Sequence, residues 1–319
     1  MEKTKLILTQ SMIKEFKDYM DGNQCGLIFE EKYIKKNYEL FKSSSGVQQL
    51  GNYFEFLCIG ANTKSNNEAP KPEYNKDGKT LTAAYQRIPK QVENFKTFMR
   101  FNGIKIKSVQ DKLTVGETTI DLVNKDNGEV SQYTLDGFEG TTDIICEATQ
   151  DIKGLFEIKD IIDGKEKVVG TEERVIINKG EEFISDIKYT GLIYDRFSPY
   201  GWDLNTLSYK EKLIRQPIHY KYISKLLYGK TYKFMFLLFS NTNDYDYKTL
   251  IFEVDEEEHF KEHEEFMVWS DRWIKYNLKK GFKAVPEYER CMDCPLKATC
   301  KHFEAVPKIK VFYYQPQKV

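Results

Sequence analysis

The sequence predicts a mixed α/β domain in which helices flank a central sheet. Three observations lead there. The first hundred residues carry apolar side chains at helical spacing, the middle is a series of short alternating segments, and the chain then returns to helix around one nearly continuous apolar run, Thr231–Phe239. At 319 residues, with 40% hydrophobic and 14% aromatic content, the chain can bury a substantial core. No linker separates two independent domains, so the expectation is a single domain over 1–319.

Met12, Phe16 and Tyr19 mark a first helix over Ser11–Tyr19, with Ser11 as its expected N-cap. Residues 46–61 read as a second, aromatic-rich helix, 62–80 as a surface loop, and 81–103 as a third helix ending at Gly103. Residues 62–135 together read as a helical and β insertion. Thr118–Val123 and Val130–Leu135 alternate around the turn Asp126-Asn127-Gly128 and predict a hairpin. Further short strands follow at 142–148, 154–162, 174–177 and 182–189. Helix is expected at 206–227, a buried strand at 231–239, another strand at 249–254, and a long charged helix at 256–280.

The charge balance, 48 basic against 49 acidic residues for a net charge of -1, gives no general affinity for polyanions. A nucleic-acid enzyme of this composition needs a local basic track. No stretch approaches the length of a membrane span and the N-terminal residues do not read as a signal sequence, so a cytoplasmic protein without a membrane partner is expected. In that setting the six cysteines read as thiols or metal ligands rather than as a disulfide framework.

Two acidic segments carry chemistry. Gly140-Thr-Thr-Asp143 places a carboxylate at the start of an apolar strand. In Phe183-Ile-Ser-Asp186-Ile-Lys188, strand periodicity puts Asp186 and Lys188 on one face. If the two strands pair, two carboxylates can share a Mg²⁺ or Mn²⁺ ion, which needs few protein ligands when substrate phosphate and water supply the rest. The lysine can then offset charge developing on phosphorus. Upstream, Gly51-Asn-Tyr-Phe-Glu55 lies within a helix. Downstream, Gln216-Pro-Ile-His-Tyr220 is expected to open one.

In this order, Gly51/Glu55, Gly140/Asp143, Asp186/Lys188 and Gln216/Tyr220, the sequence resembles the RecB-like branch of the PD-(D/E)XK nuclease superfamily. The resemblance covers about residues 51–220. It implies a restriction-endonuclease-like central mixed sheet with an inserted β-hairpin region. It also implies metal ligation by Glu55, Asp143, Asp186 and the Ile187 carbonyl, catalytic assistance by Lys188, and support from Gln216 and Tyr220. A second spelling exists, because Glu157-Ile-Lys159 begins 14 residues after Asp143. Asp186/Lys188 is preferred because Gln216 follows Lys188 by 28 residues and because Tyr189-Thr-Gly191 ends the strand as the family does.

Cys291, Cys294 and Cys300 form a Cys-x2-Cys-x5-Cys pattern, a strong ligand signal for zinc or an iron–sulfur cluster. A fourth ligand has to come from Cys25, Cys58, Cys146 or His302. The family resemblance extends here to the iron–sulfur exonucleases, AddB-type and CRISPR-associated, which carry one cysteine before the nuclease core and three after it. It implies a structural [4Fe–4S] cluster on Cys25, Cys291, Cys294 and Cys300, with the Cys-rich segment 286–319 closing against the N-terminus. Zn²⁺ on the three tail cysteines and His302 is the alternative, strained by the single residue between Cys300 and His302. Cys58 and Cys146 read as core thiols.

His259 and His263 stand four apart on a helix, but eight acidic residues over 253–265 make a solvated face the better reading. His219 reads equally well as a surface or a substrate-contacting residue. The functional expectation is a Mg²⁺- or Mn²⁺-dependent deoxyribonuclease acting as an exonuclease on DNA ends or single strands, in recombination, repair or replication of a phage or bacterium. A helicase or recombination partner would have to supply any ATP dependence, since no Gly-x4-Gly-Lys-Ser/Thr loop is present. The rival expectation is a non-catalytic nucleic-acid-binding or zinc-stabilised interaction module.

Overall fold

The computed structural model describes residues 5–41, 46–60, 70–124, 126–162, 164–191, 193, 207–242, 246–253 and 255–305. The chain opens with a two-residue strand β1 (Leu8–Thr9), helix α1 (Gln10–Met20) and the short α2 (Gly26–Phe29), followed by α3 (Gly46–Ile59) and α4 (Ala83–Phe101). Nine strands come next: β2 (Ile104–Val109), β3 (Lys112–Val115), β4 (Thr118–Val123), β5 (Val130–Leu135), β6 (Phe138–Thr141), β7 (Ile144–Ala148), β8 (Ile152–Ile162), β9 (Lys165–Ile177) and β10 (Glu182–Thr190). Helix α5 (Leu207–Tyr228), strands β11 (Lys233–Ser240) and β12 (Tyr247–Ile251), the long α6 (Glu256–Lys280) and α7 (Tyr288–Met292) complete the order. The chain divides into two compact units, one of Met1–Ile7 with Ser45–Glu264, the other of Leu8–Ser44 with Glu265–Val319.

The larger unit is built on a five-stranded mixed sheet in the order β12-β11-β10-β7-β2. Only β10 and β11 run parallel; the other neighbours are antiparallel. A parallel pair requires a crossover, and α5 lies in that connection. The apolar run of β11 is buried from Phe234 to Phe239, as a central strand covered on both faces should be. One face of the sheet is the main core: Phe183, Ile187 and Tyr189 of β10 and Met235, Leu237 and Phe239 of β11 pack with Leu50 and Phe54 of α3 and with Ile88, Val92 and Phe95 of α4. Alternation along β10 leaves Asp186 and Lys188 on the opposite side. There α5 contributes Tyr220, stacked on Phe234 of β11 with ring centroids 5.5 Å apart.

The expected mixed α/β architecture is therefore present. Two hairpins stand as separate two-stranded sheets, β4–β5 and β8–β9. The hairpin β4–β5 has the boundaries that alternation and the Asp126-Asn127-Gly128 turn predict. Four expectations need correction. Thr9, not Ser11, caps α1: its side chain accepts from the Met12 amide. Residues 62–135 are not wholly an insertion, because α4 supplies core residues and β2 is an edge strand of the central sheet. β9 begins at Lys165, well before the expected start at 174, because it pairs along the whole of β8. Gln216 does not open a helix; it lies inside α5, next to Pro217. Residues 61–69 and Val254 of the expected loop and strand, and 306–319 of the Cys-rich segment, lie outside the described residues.

The smaller unit joins an N-terminal and a C-terminal segment through aromatic packing. Phe16 meets Phe29 and Trp269 at 5.2 and 5.7 Å between centroids, and Phe282 meets Tyr19 and Phe29. Gly26 is required where the two segments touch. A side chain there would meet the Lys283 carbonyl and the Tyr19 ring at 2.6 and 2.7 Å, while the Gly26 amide donates to that same carbonyl.

Phe54 tests the larger core. It is fully buried, stacked on Tyr189 at 4.5 Å and tilted against Phe239 at 5.3 Å. Phe54→Ala is expected to lower unfolding free energy by about 3–5 kcal/mol in urea denaturation; a loss below about 1 kcal/mol would mean that α3 is not packed on β10 in this way.

Candidate active site

The site forms where two adjacent chain segments turn a corner. β6 leads into β7 through Thr142 and Asp143, and alongside it β2 leads into β3 through Gln110 and Asp111. The corners are clamped together by the Gln110 amide donating to the Asp143 carbonyl at 2.9 Å and the Thr142 amide to the Asp111 carbonyl at 3.0 Å. Because Ser185 of β10 pairs with Ile144 of β7, Asp186 comes beside Asp143. The Ile187 amide donates to Asp143 Oδ2 at 2.8 Å and fixes that carboxylate.

Asp186 is 5% exposed. Its Oδ1 accepts from Gln216 Nε2 at 2.7 Å, and its Oδ2 lies 2.5 Å from the Lys188 ammonium without a well-aligned hydrogen bond. Burial holds the Asp143 carboxyl well above the usual carboxylate range. Asp186 and Glu55 push the same way, while Lys188 and the Ile187 amide oppose them. For Lys188, burial works against its charge, but Asp186, Asp143 and Glu55 outweigh it and hold the ammonium above its ordinary range. The Lys188 side chain nevertheless keeps 36% of its surface open, so a ligand can reach it. Glu55, on α3, accepts from Gln110 Nε2 at 3.0 Å.

Gln216 and Tyr220 stand one turn apart on α5 and so share a face. Tyr220 donates to the Thr141 carbonyl at 2.5 Å. Burial first, and then Asp186 and Asp143, raises its phenol so that it stays a donor. Its ring also explains Gly140: a Cβ there would lie 2.7 Å from Tyr220 Cε1. The glycine three residues before Asp143 is thus the space that Tyr220 fills. Gly51, one turn before Glu55, has open space on its Cβ side, and nothing in the structure explains why it is glycine.

The structure thus brings Asp143, Asp186, Ile187, Lys188, Gln216 and Tyr220 together, with Glu55 close enough to perturb both Asp143 and Lys188. The rival residues Glu157 and Lys159 are elsewhere in the topology. Their backbones lie in β8, opposite Thr171 and Val168 of β9, in a sheet of two strands; their side chains lie outside the described residues. Gln110 was not anticipated, and an isolated glutamine between two short strands gives no signal in sequence. Among the described residues, no three His, Cys, Asp or Glu groups converge closely enough to hold an ion without rearrangement. The donor types still suit a hard cation: two neighbouring carboxylates, one raised by burial and then by the other's charge, and a buried Asp186 oxygen lacking an aligned donor.

His219 and His263 differ from the sequence expectation. Both are buried, and His219 Nδ1 lies 3.1 Å from His263 Nε2. His219 Nε2 lies 3.1 Å from the Glu139 carbonyl, which can only accept, so His219 is protonated at Nε2 and receives the His263 proton at Nδ1. Burial pushes His219 down to about 4 and His263 well below its ordinary value, leaving a neutral pair that ties α5 to α6. His259 is half-buried, with Nδ1 2.8 Å from the Asp255 carbonyl one turn earlier, and it stands apart from the buried His219–His263 pair.

In the smaller unit, Cys25, Cys291, Cys294 and Cys300 line one pocket, together with Leu27, Leu296 and His302. Cys25 sits at the N-terminus of α2, and Cys291 lies in α7. The Val285 and Glu287 amides point at the Cys25 and Cys291 sulfurs at 3.5 and 3.4 Å. Burial raises the Cys294 thiol, and the other three cysteines raise it further. The four are soft donors with amides aimed at two of them, but among the described residues they do not stand close enough together to hold a metal ion as placed. Cys58 and Cys146 lie in the larger unit, both raised by burial.

Among solved structures, the chain is similar to a crystal structure of a "Putative exonuclease" from Eubacterium rectale, with a TM-score of 0.50 and 14% identity over 97% of this chain and 91% of that one. At that identity the likeness shows a common fold. No protein-family model and no curated protein matches the sequence. Among the described residues, no helix is long and apolar enough to cross a membrane.

The Gly140–Tyr220 contact gives a direct test of the site's packing. Gly140→Ala is expected to cost about 1–3 kcal/mol, and Gly140→Ala combined with Tyr220→Leu should cost less than the sum of the single changes. Additive losses would show that the two residues do not compete for one space.

Proposed function

We propose that this chain is a metal-dependent deoxyribonuclease, working as an exonuclease on DNA ends or single strands in recombination, repair or replication. The observation that carries the reading is the meeting of Asp143, Asp186 and Lys188 on adjoining strands, with Asp186 fixed by Gln216. The common fold with a protein named as a putative exonuclease supports it. Glu55, Asp143 and Asp186, with the Ile187 carbonyl, would hold Mg²⁺ or Mn²⁺. When bound, such an ion supplies Lewis-acid polarisation of the scissile phosphate and lowers the pKa of water.

The remaining work falls to the chain's own groups. The Ile187 amide and Gln216 hold the two aspartates in fixed rotamers, so little reorganisation is needed during reaction. Lys188, charged and open to solvent on one side, faces negative charge building on the phosphoryl oxygens. Tyr220 braces the Thr141 carbonyl and keeps Asp143 at the end of its strand. In the smaller unit, Cys25, Cys291, Cys294 and Cys300 would carry a structural [4Fe–4S] cluster. By linking residues far apart in sequence, such a centre restricts the unfolded chain and stabilises the fold. A helicase or recombination partner would supply any ATP-driven unwinding.

Asp186→Ala and Lys188→Ala are each expected to reduce cleavage of end-labelled DNA with Mg²⁺ or Mn²⁺ by at least about a hundredfold, with DNA binding retained in gel shifts. Lys159→Ala should cleave as the wild type does. Undiminished cleavage by Asp186→Ala would overturn the mechanism, and a loss confined to Lys159→Ala would move the site to the β8–β9 hairpin.

Protein purified without oxygen should contain iron and absorb visible light. Cys291→Ala should lose both and melt at a lower temperature. A colourless protein with stoichiometric zinc would replace the cluster by a zinc site.

A further inference from the structure

Gln110 occupies a conformation that its residue type does not favour. Its φ is +52°, in the left-handed region, and Lys36 is the only other non-glycine residue there among those described. Glycine takes this conformation freely, and Asn or Asp are helped by short side chains that bond locally. Glutamine has neither advantage, so the position carries backbone strain that the turn itself does not require. The strain coincides with two contacts. The Gln110 main-chain amide donates to the Asp143 carbonyl at 2.9 Å, and its side-chain Nε2 donates to Glu55 Oε1 at 3.0 Å.

We infer that Gln110 is a positioning residue that keeps the Glu55 carboxylate at the Asp143 corner, from which it turns in as the third arm of a divalent-cation site with Asp143 and Asp186, an inference that rests on the metal-dependent reading above. Glu55 is repelled by the carboxylate of Asp143 and attracted by the ammonium of Lys188, and the Gln110 side-chain amide fixes which way its flexible stem turns. A lysine or arginine at 110 would hold Glu55 but cancel the charge that a cation needs. A neutral amide donates one hydrogen bond and leaves the charge in place. The same residue clamps the corner carrying Asp143, so one side chain links helix α3 to the β6–β7 corner.

Two substitutions separate this role from a merely structural one. Gln110→Gly removes the side-chain amide and relieves the backbone; Gln110→Leu keeps most of the size and removes the donor without adding charge. Mn²⁺ affinity is measured by calorimetry on the full chain, beside thermal unfolding without metal and cleavage as a function of Mn²⁺ concentration. Both variants are expected to bind Mn²⁺ at least about tenfold more weakly and to need correspondingly more Mn²⁺ for cleavage. Gln110→Gly should melt at or above the wild-type temperature. Wild-type Mn²⁺ affinity in Gln110→Gly, while Asp186→Ala binds poorly, would overturn the positioning role and leave the metal site standing. Absence of Mn²⁺ binding by the wild type, or wild-type binding by Asp186→Ala, would overturn the metal site and the positioning role together.

Discussion

Two carboxylates set side by side and withdrawn from water repel each other, and the surroundings of Asp143 and Asp186 are arranged around that repulsion. The antiparallel register of β7 and β10 brings them together whatever their charge, because it is fixed by the apolar residues on the other face of the same strands. What remains is to offset the cost. Lys188 supplies opposite charge, the Ile187 amide donates to Asp143, and Gln216 donates to Asp186. These contacts compensate in part, and the Asp143 carboxyl stays raised. Fixed oxygens beside residual negative potential are the features on which the proposed cation site rests.

The crossover that the parallel pair β10–β11 requires also serves this site. Helix α5 has to return the chain over the sheet, and its inner face presents Gln216 to Asp186 and, one turn later, Tyr220 to Phe234 and the Thr141 carbonyl. Gly140 completes the fit by leaving room for the Tyr220 ring. Behind this, the neutral pair His219–His263 joins α5 to the start of α6 by a buried hydrogen bond, with no charge placed in the core. Structural demand and site geometry are met by the same helix.

The cysteine pocket follows a different logic. Its four thiols come from α2 and from the tail, segments separated by most of the sequence. Aromatic contacts among Phe16, Tyr19, Phe29 and Phe282 already join those segments, and Gly26 permits the close backbone approach. The pocket therefore lies where the two chain ends are packed together by apolar burial, and a thiolate-bound centre there would add to a contact that the fold makes on its own.

Much of this was legible in the sequence wherever local periodicity carries the information. Alternation and turn residues give hairpin β4–β5, the apolar run gives β11 as a buried strand, and period two along β10 puts Asp186 and Lys188 on one face. The resemblance to the nuclease motifs names Gly140, Asp143, Asp186, Lys188, Gln216 and Tyr220, and these residues meet in the structure. Pairing partners decided the rest. That β8 pairs with β9 alone while β10 lies inside the central sheet separates Glu157 from Asp186, and no local pattern distinguishes the two strands. That Gln216 lies within a helix, that the polar His219 and His263 are buried against each other, and that Gln110 takes a left-handed turn to reach Glu55 all depend on neighbours distant in sequence. The sequence by itself determined which chemical groups are available and which face of each strand or helix they occupy, because those follow from backbone geometry over a few residues. Only the tertiary structure decided which groups share one low-dielectric space, because that depends on register and crossover across the whole sheet.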